Sequence, residues 1–149
     1  MKLGLVCYSG GHLYQLYVLQ QWWKKYPRFW VTFRTADALS LLKEEKTYWA
    51  YMPAARNIKN FIRNSFLSLK ILLKEKPDIL VSTGAAVCVP FFYFGKLLGK
   101  KLIFIEVFDR IDSPTLTGKL VYPVADHFVL QWEEQKKFYP KGKVLGPLL

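Results

Sequence analysis

A short apolar run, Leu3-Gly4-Leu5-Val6, leads into Cys7-Tyr8-Ser9-Gly10-Gly11-His12 and then into a stretch of helical spacing from Leu13 to Lys25. Strand, small-residue turn and helix in that order present backbone N–H groups to an anion. Adjacent glycines let the backbone take positive φ and let another molecule come close. The order recurs, with a strand at Pro77–Ser82, a turn at Thr83-Gly84-Ala85-Ala86 and a helix at Val87–Leu98. Further strands are expected at Arg28–Phe33, Thr47–Met52, Lys101–Glu106, Asp126–Leu130 and Lys143–Leu145. Helices are expected at Ala38–Glu45 with Asp37 as cap, Ala55–Lys76, Pro114–Val124 with Ser113 as cap, and Trp132–Tyr139. This alternation predicts an α/β, Rossmann-like, doubly wound parallel sheet. At 149 residues, with no repeat or linker, the chain reads as one domain, 1–149.

Ligands of such sheets bind outside the carboxyl ends of the strands. That rule places Ser9-Gly10-Gly11-His12, Thr83-Gly84-Ala85 and Glu106–Ser113 along one edge. The first turn is not GxGxxG, and Phe33-Arg34, not an acid, ends the second strand, which disfavours a dinucleotide site. His12 is a helix-capping residue, a general base or a hydrogen-bond donor to a diphosphate. Glu106 is either a core-edge residue paired with Arg110 or a ligand contact. Arg110 and Lys119 can neutralise phosphates, and His127 reads as structural. No P-loop, Ser–His–Asp order or metal cluster assembles, and no cofactor is expected. Cys7 and Cys88 read as buried thiols in a reducing compartment.

The net charge is +11 and aromatics make up 17% of the chain. Nucleic acid, an anionic membrane surface or a phosphorylated substrate fit that balance, and the aromatics favour the membrane. In the first helix, Leu13, Leu16, Leu19 and Trp23 can face the sheet. Tyr17, Trp22, Trp23, Lys24 and Lys25 form a candidate membrane contact, the alternative being a helix packed on both sides. Ala55–Lys76 is a basic amphipathic helix, with Ile58, Phe61, Ile62, Phe66, Leu69, Leu72 and Leu73 on its apolar side. It is either a solvated surface helix or a lipid-binding one. No signal peptide is apparent, and the longest apolar run, Gly84 to Gly95, is roughly half to two-thirds of a spanning length.

SGGH, STGAA, IEVFDR, SPTLTGKLVYPVADHFVLQW and a final LGPLL, in this order, resemble the membrane-associated acceptor subunit of two-component UDP-sugar transferases. That family includes the subunit of the dolichol-linked N-acetylglucosaminyltransferase of asparagine-linked glycosylation and bacterial capsule and exopolysaccharide proteins of the PssD/CpsF type. The resemblance covers essentially the whole chain and is closest to the bacterial type. It implies the N-terminal half of a GT-B glycosyltransferase, working with a PssE/CpsG-like partner that binds most of the UDP-sugar. The implied acceptor is a polyprenyl-diphosphate-linked sugar at the cytoplasmic membrane face, reached by peripheral attachment, with no role for nucleic acid. It further implies that Ser9, Gly10, Gly11, Thr83, Gly84, Ala85 and Arg110 meet the acceptor diphosphate, with His12, or else Glu106, as the base. Ala85-Ala86 stands where the family often has another glycine or a proline. The membrane-spanning helix of eukaryotic members is not expected here. A non-catalytic enhancer of the partner is one alternative, and a basic nucleotide-binding module is another.

Overall fold

The computed structural model describes residues 1–149. Seven parallel strands form one sheet in the order β3-β2-β1-β4-β5-β6-β7. They are β1 Leu3–Cys7, β2 Arg28–Thr32, β3 Thr47–Trp49, β4 Ile79–Gly84, β5 Lys101–Ile105, β6 His127–Leu130 and β7 Lys143–Val144. The helices are α1 Gly11–Tyr17, α2 Gln20–Trp23, α3 Ala36–Leu41, α4 Ile58–Glu75, α5 Cys88–Leu97 and α6 Leu116–Val121, with a 3₁₀ turn at Glu133–Lys137. The expected doubly wound architecture is therefore the one adopted.

Burial on both faces explains the near-continuous apolar strands. Leu3, Leu5 and Cys7 of β1 join Leu13 and Leu16 of α1, Trp23 of α2 and Trp30 of β2 in one core layer. Val6 joins the opposite layer with Phe29, Val31, Leu72 of α4, Phe91 and Phe92 of α5, Phe104 of β5 and Tyr139. Both cysteines are free and buried, and burial pushes the Cys88 thiol up to about 12.

Three local expectations are corrected. The first helix breaks after Tyr17, and Trp23 folds under it, its Nε1 donating to the Leu16 carbonyl at 3.1 Å. Trp23 is 0% exposed, so it cannot belong to a membrane-contact surface; Tyr17 and Trp22 also pack against that core layer, and of the five only Lys24 and Lys25 are exposed. Asp37 does not cap α3 from outside but lies in its first turn after Thr35. The cap of α6 is Thr115, not Ser113, and its side chain accepts from Gly118 N–H at 2.9 Å.

The inverted helix is α4. Its buried residues are Asn60, Asn64, Ser68, Ile71, Leu72 and Glu75, while Ile58, Phe61, Ile62, Phe66 and Leu73 are exposed. The polar face turns inward because the loop after β3 needs partners. Asn64 accepts from Tyr51 N–H at 2.8 Å and donates to Tyr51 C=O at 3.1 Å, and Asn60 donates to Pro53 C=O at 2.8 Å. At the far end, Glu75 accepts from Lys2, Lys46 and Tyr48, tying α4 to the starts of β1 and β3. Burial opposes its ionisation, but these three donors hold its carboxyl down to about 2.

Candidate functional site

β1 is followed by β2 on one side, while β4 begins the run on the other. The strand order reverses between β1 and β4, which is where a crevice opens at the carboxyl edge. The turn after β1 and the turn after β4 stand on its two sides.

Reciprocal bonds join those turns. His12 Nδ1 lies 2.7 Å from the Thr83 carbonyl, and the Thr83 hydroxyl donates to the His12 carbonyl at 2.7 Å. A carbonyl only accepts, so Nδ1 carries a proton, and in the neutral form of the ring Nε2 keeps its lone pair. Gly84 has φ +104, and a Cβ there would stand 3.3 Å from the imidazole. Only glycine combines that backbone conformation with this approach.

A pocket of about 260 Å³ opens beside this clasp, walled by His12, Thr83, Gly84, Ala85, Val107, Asp109, Arg110, Thr115, Leu116 and Thr117. Ala85 leads into α5, whose N-terminal end favours negative charge. Arg110 is exposed at the rim and reaches only Ser113 Oγ, at 3.5 Å. The pocket thus sets imidazole Nε2 near a rim that carries Arg110 beside Asp109, a setting for a ligand hydroxyl to meet a base.

Of the sequence-nominated residues, His12, Thr83, Gly84, Ala85 and Arg110 meet in this pocket. Ser9, Gly10 and Gly11 lie behind His12 and do not wall it. The Gly10 N–H donates to the Asp37 carboxylate at 2.7 Å, so one donor expected to hold a ligand anion already has an acceptor. A bond from the Thr35 hydroxyl is the main cause holding the Asp37 carboxyl below the usual range.

Glu106 departs furthest from its expected place. It is 0% exposed and makes no pair with Arg110. Its carboxylate accepts from Val107 N–H at 3.0 Å, the Thr115 hydroxyl at 3.0 Å and the Tyr139 hydroxyl at 2.5 Å. Burial and that bond raise the Tyr139 phenol well above the ordinary tyrosine range, so it remains a donor. With its oxygens engaged behind the pocket wall, Glu106 is not placed to take a proton from a ligand. It braces the 107–115 loop instead.

Three glutamines complete the brace. Gln15 accepts from Phe108 N–H at 3.0 Å and from Gln131 Nε2 at 2.7 Å, and Gln131 also donates to Glu106 C=O at 2.9 Å. Gln135 donates to the Val107 and Arg110 carbonyls, each at 3.1 Å, and Trp132 Nε1 donates to Phe108 C=O at 2.7 Å. Sequence reasoning did not nominate Gln15, Gln131, Gln135, Thr115, Tyr139 or Asp109 for the site. The signals were present in part: Asp109 stands next to Arg110 in IEVFDR, and Gln131 interrupts an apolar strand end in VLQW.

Residues 3–148 match the family model described as "Oligosaccharide biosynthesis protein Alg14 like". The chain is similar to the UDP-N-acetylglucosamine transferase subunit ALG14 of Homo sapiens, 31% identical over 94 residues that take in 59% of this chain and 44% of the human protein. Against its counterpart in Candida albicans, identity is 28% over 172 aligned positions, covering 99% of this chain and 78% of the relative. The chain thus spans less than half the length of the human relative. Among solved structures, MurG of Acinetobacter baumannii shares the fold at a TM-score of 0.73 and 17% identity, over 90% of this chain and 43% of that one. A UDP-GlcNAc 2-epimerase from Neisseria meningitidis does so at 0.78 and 13%, over 99% and 47%. Likeness at these identities concerns the fold alone.

Proposed function

The chain belongs to the Alg14-like family of oligosaccharide biosynthesis proteins, and on that premise we propose that it is the acceptor-binding subunit of a UDP-sugar transferase that extends a polyprenyl-diphosphate-linked sugar. One observation supports this above others: the pocket at the β1/β4 switch point combines His12, Arg110 and the Gly84-Ala85 turn that leads into α5. A lipid diphosphate needs cations and N–H donors, and a sugar next to it needs a base.

In the proposed reaction the acceptor hydroxyl attacks the anomeric carbon of the UDP-sugar. The anomeric C–O bond to UDP breaks, UDP leaves with the bonding electrons, and the hydroxyl proton passes to His12 Nε2. Thr83 C=O holds the opposite ring nitrogen in place and stabilises the imidazolium. The names of the curated relatives support UDP-N-acetylglucosamine as donor. A PssE/CpsG-like partner carries most of the donor site, and its groups stabilise the departing UDP. Ser9, Gly10 and Gly11 shape the turn that presents His12, and Arg110 neutralises the diphosphate.

Attachment is peripheral, on the cytoplasmic face of the membrane. No helix is long and apolar enough to cross a bilayer. The exposed side of α4, with Ile62 and Phe66 beside Lys59, Arg63 and Lys70, replaces the α1–α2 aromatics as the membrane-facing surface. The narrower setting we propose is PssD/CpsF-type capsule or exopolysaccharide assembly, which rests on the sequence resemblance. Deleting the gene should deplete the polymer and accumulate its monosaccharide-lipid precursor.

The test is transfer by the co-purified complex from UDP-N-acetylglucosamine to a lipid-diphosphate-linked sugar. His12→Ala should lower kcat by about 10²-fold or more with the complex intact. Near-normal transfer would remove His12 as the base. With Glu106 fully engaged, His12 is the nominated base left in the pocket, where Asp109 is the one carboxylate on the wall, and a second reading is favoured should His12 prove dispensable. In that case the subunit only docks lipid and partner, and its variants act through dissociation.

A further inference from the structure

An apolar groove of about 440 Å³ runs alongside the polar pocket. Its walls include Ala54, Ile58 and Phe61 from the start of α4 and its lead-in, Ala86 and Val89 at the start of α5, and Leu120 of α6. That volume lies in the roughly 300–1,000 Å³ range of small-molecule sites. Leu116 and Thr117 wall both the groove and the polar pocket, so the two cavities adjoin along α6. Ile58 is 79% exposed and Leu116 72%, large apolar side chains that water covers at a free-energy cost.

We propose that this groove holds the diphosphate-proximal isoprene units of the acceptor's polyprenyl chain. The inference rests on the acceptor reading above and assigns a second subsite to it. Charge complementarity selects the occupant. The groove wall carries Arg56 and no acidic residue, and the adjoining pocket carries Arg110 beside Asp109, so the groove suits an apolar chain whose anionic head lies toward Arg56 and Arg110. A docked peptide would bring N–H and C=O groups against walls that are mostly hydrocarbon, whereas a polyprenyl chain has none to satisfy. From the groove, Ile62 and Phe66 continue the exposed apolar side of α4. The chain can leave the protein along that side toward the bilayer. The polar pocket thus reads the diphosphate and the groove reads the first part of the tail, so the sugar is held near His12 by its lipid.

The experiment uses the complex with its donor-binding partner in detergent, without vesicles. Two acceptors carry the same sugar diphosphate, one esterified to farnesol and one to methanol. The intact complex should prefer the farnesyl acceptor by about tenfold or more in kcat/KM, since burial of apolar chain favours binding. The double variant Ile58→Asn, Leu120→Asn should reduce that preference to within about threefold, mainly through a higher KM for the farnesyl acceptor. A farnesyl diphosphate bearing a photoreactive terminal group should label peptides containing residues 54–61, 86–89 or 116–120. Turnover of both acceptors without preference, or labelling only elsewhere, would overturn the groove assignment and leave the acceptor reading standing. Loss of the partner from the double variant, with the wild-type complex labelled only outside these peptides, would assign the groove to the partner and also overturn it. No turnover of either acceptor by a stable complex would sink the acceptor reading, and the groove assignment with it.

Discussion

Two helical regions carry similar mixtures of aromatic, aliphatic and basic residues and fold in opposite senses. In α1–α2, Trp23 goes in and Tyr17 and Trp22 pack against the same layer, while Tyr14 stays exposed. Trp23 fills space between α1 and β2, stacking edge-on against Trp30 at 5.3 Å and donating to Leu16. In α4 much of the apolar stripe goes out. The loop after β3 offers unpaired backbone groups, and Asn60 and Asn64 reach them while Ile62 and Phe66 face water. A surface helix ordinarily turns its apolar stripe toward the core. The contrast teaches that amphipathicity specifies two faces without specifying which one is buried. The choice falls to whichever face can satisfy the groups the fold brings against it.

The comparison breaks most decisively at Trp23. Trp23→Ala should destabilise the protein by about 3–5 kcal/mol, read from denaturant unfolding. Unchanged stability together with lost vesicle binding would restore α1–α2 as the membrane surface. The next effect is acid sensitivity at the anchored end of α4. The folded carboxyl of Glu75 sits at about 2 against 4.5 for the free group. A depressed folded value stabilises above the unfolded value, so this contribution is full above pH 4.5 and is lost as pH falls toward 2. Its size is on the order of 3 kcal/mol, and Glu75→Gln should remove that segment of the pH–stability curve. Asn64→Ala comes third. It strands the Tyr51 N–H and C=O and should cost about 1–3 kcal/mol. A neutral result would mean that the inward polar face is incidental. The smallest effect on stability belongs to the outward face: Ile62→Ser with Phe66→Ser should change unfolding by less than about 0.5 kcal/mol. The same pair should weaken flotation with anionic vesicles. Strong destabilisation would show the face packed, not open.

Much of the scaffold was legible from local pattern. The apolar run Leu3–Val6, the glycine turn at Gly10 and the apolar run Ile79–Val81 before Thr83 each carry a short-range signature, and right-handed crossovers leave few ways to arrange such units. The carboxyl-edge rule then placed His12, Thr83, Gly84, Ala85 and Arg110 near one another before any coordinates. Glu106 shows where that rule stops. It sits at the right strand end, yet its side chain turns into the brace formed with Thr115 and Tyr139, the latter 33 residues away. A sequence position names an edge, not the direction of a carboxylate. Asp37 makes the same point, since 27 residues separate it from the Gly10 N–H it occupies.

Periodicity and turn chemistry therefore sufficed for the parallel sheet, its switch point and the glycine-rich edge, because these depend on neighbours within a few residues. The choice of the inward of the two readings open for Trp23, the outward stripe of α4, the buried Glu106–glutamine brace and the joining of the polar pocket to an apolar groove required the packed chain. Each depends on partners that lie far apart in sequence and compete for the same buried space. Only folding brings those competitors together and settles which polar group finds its partner.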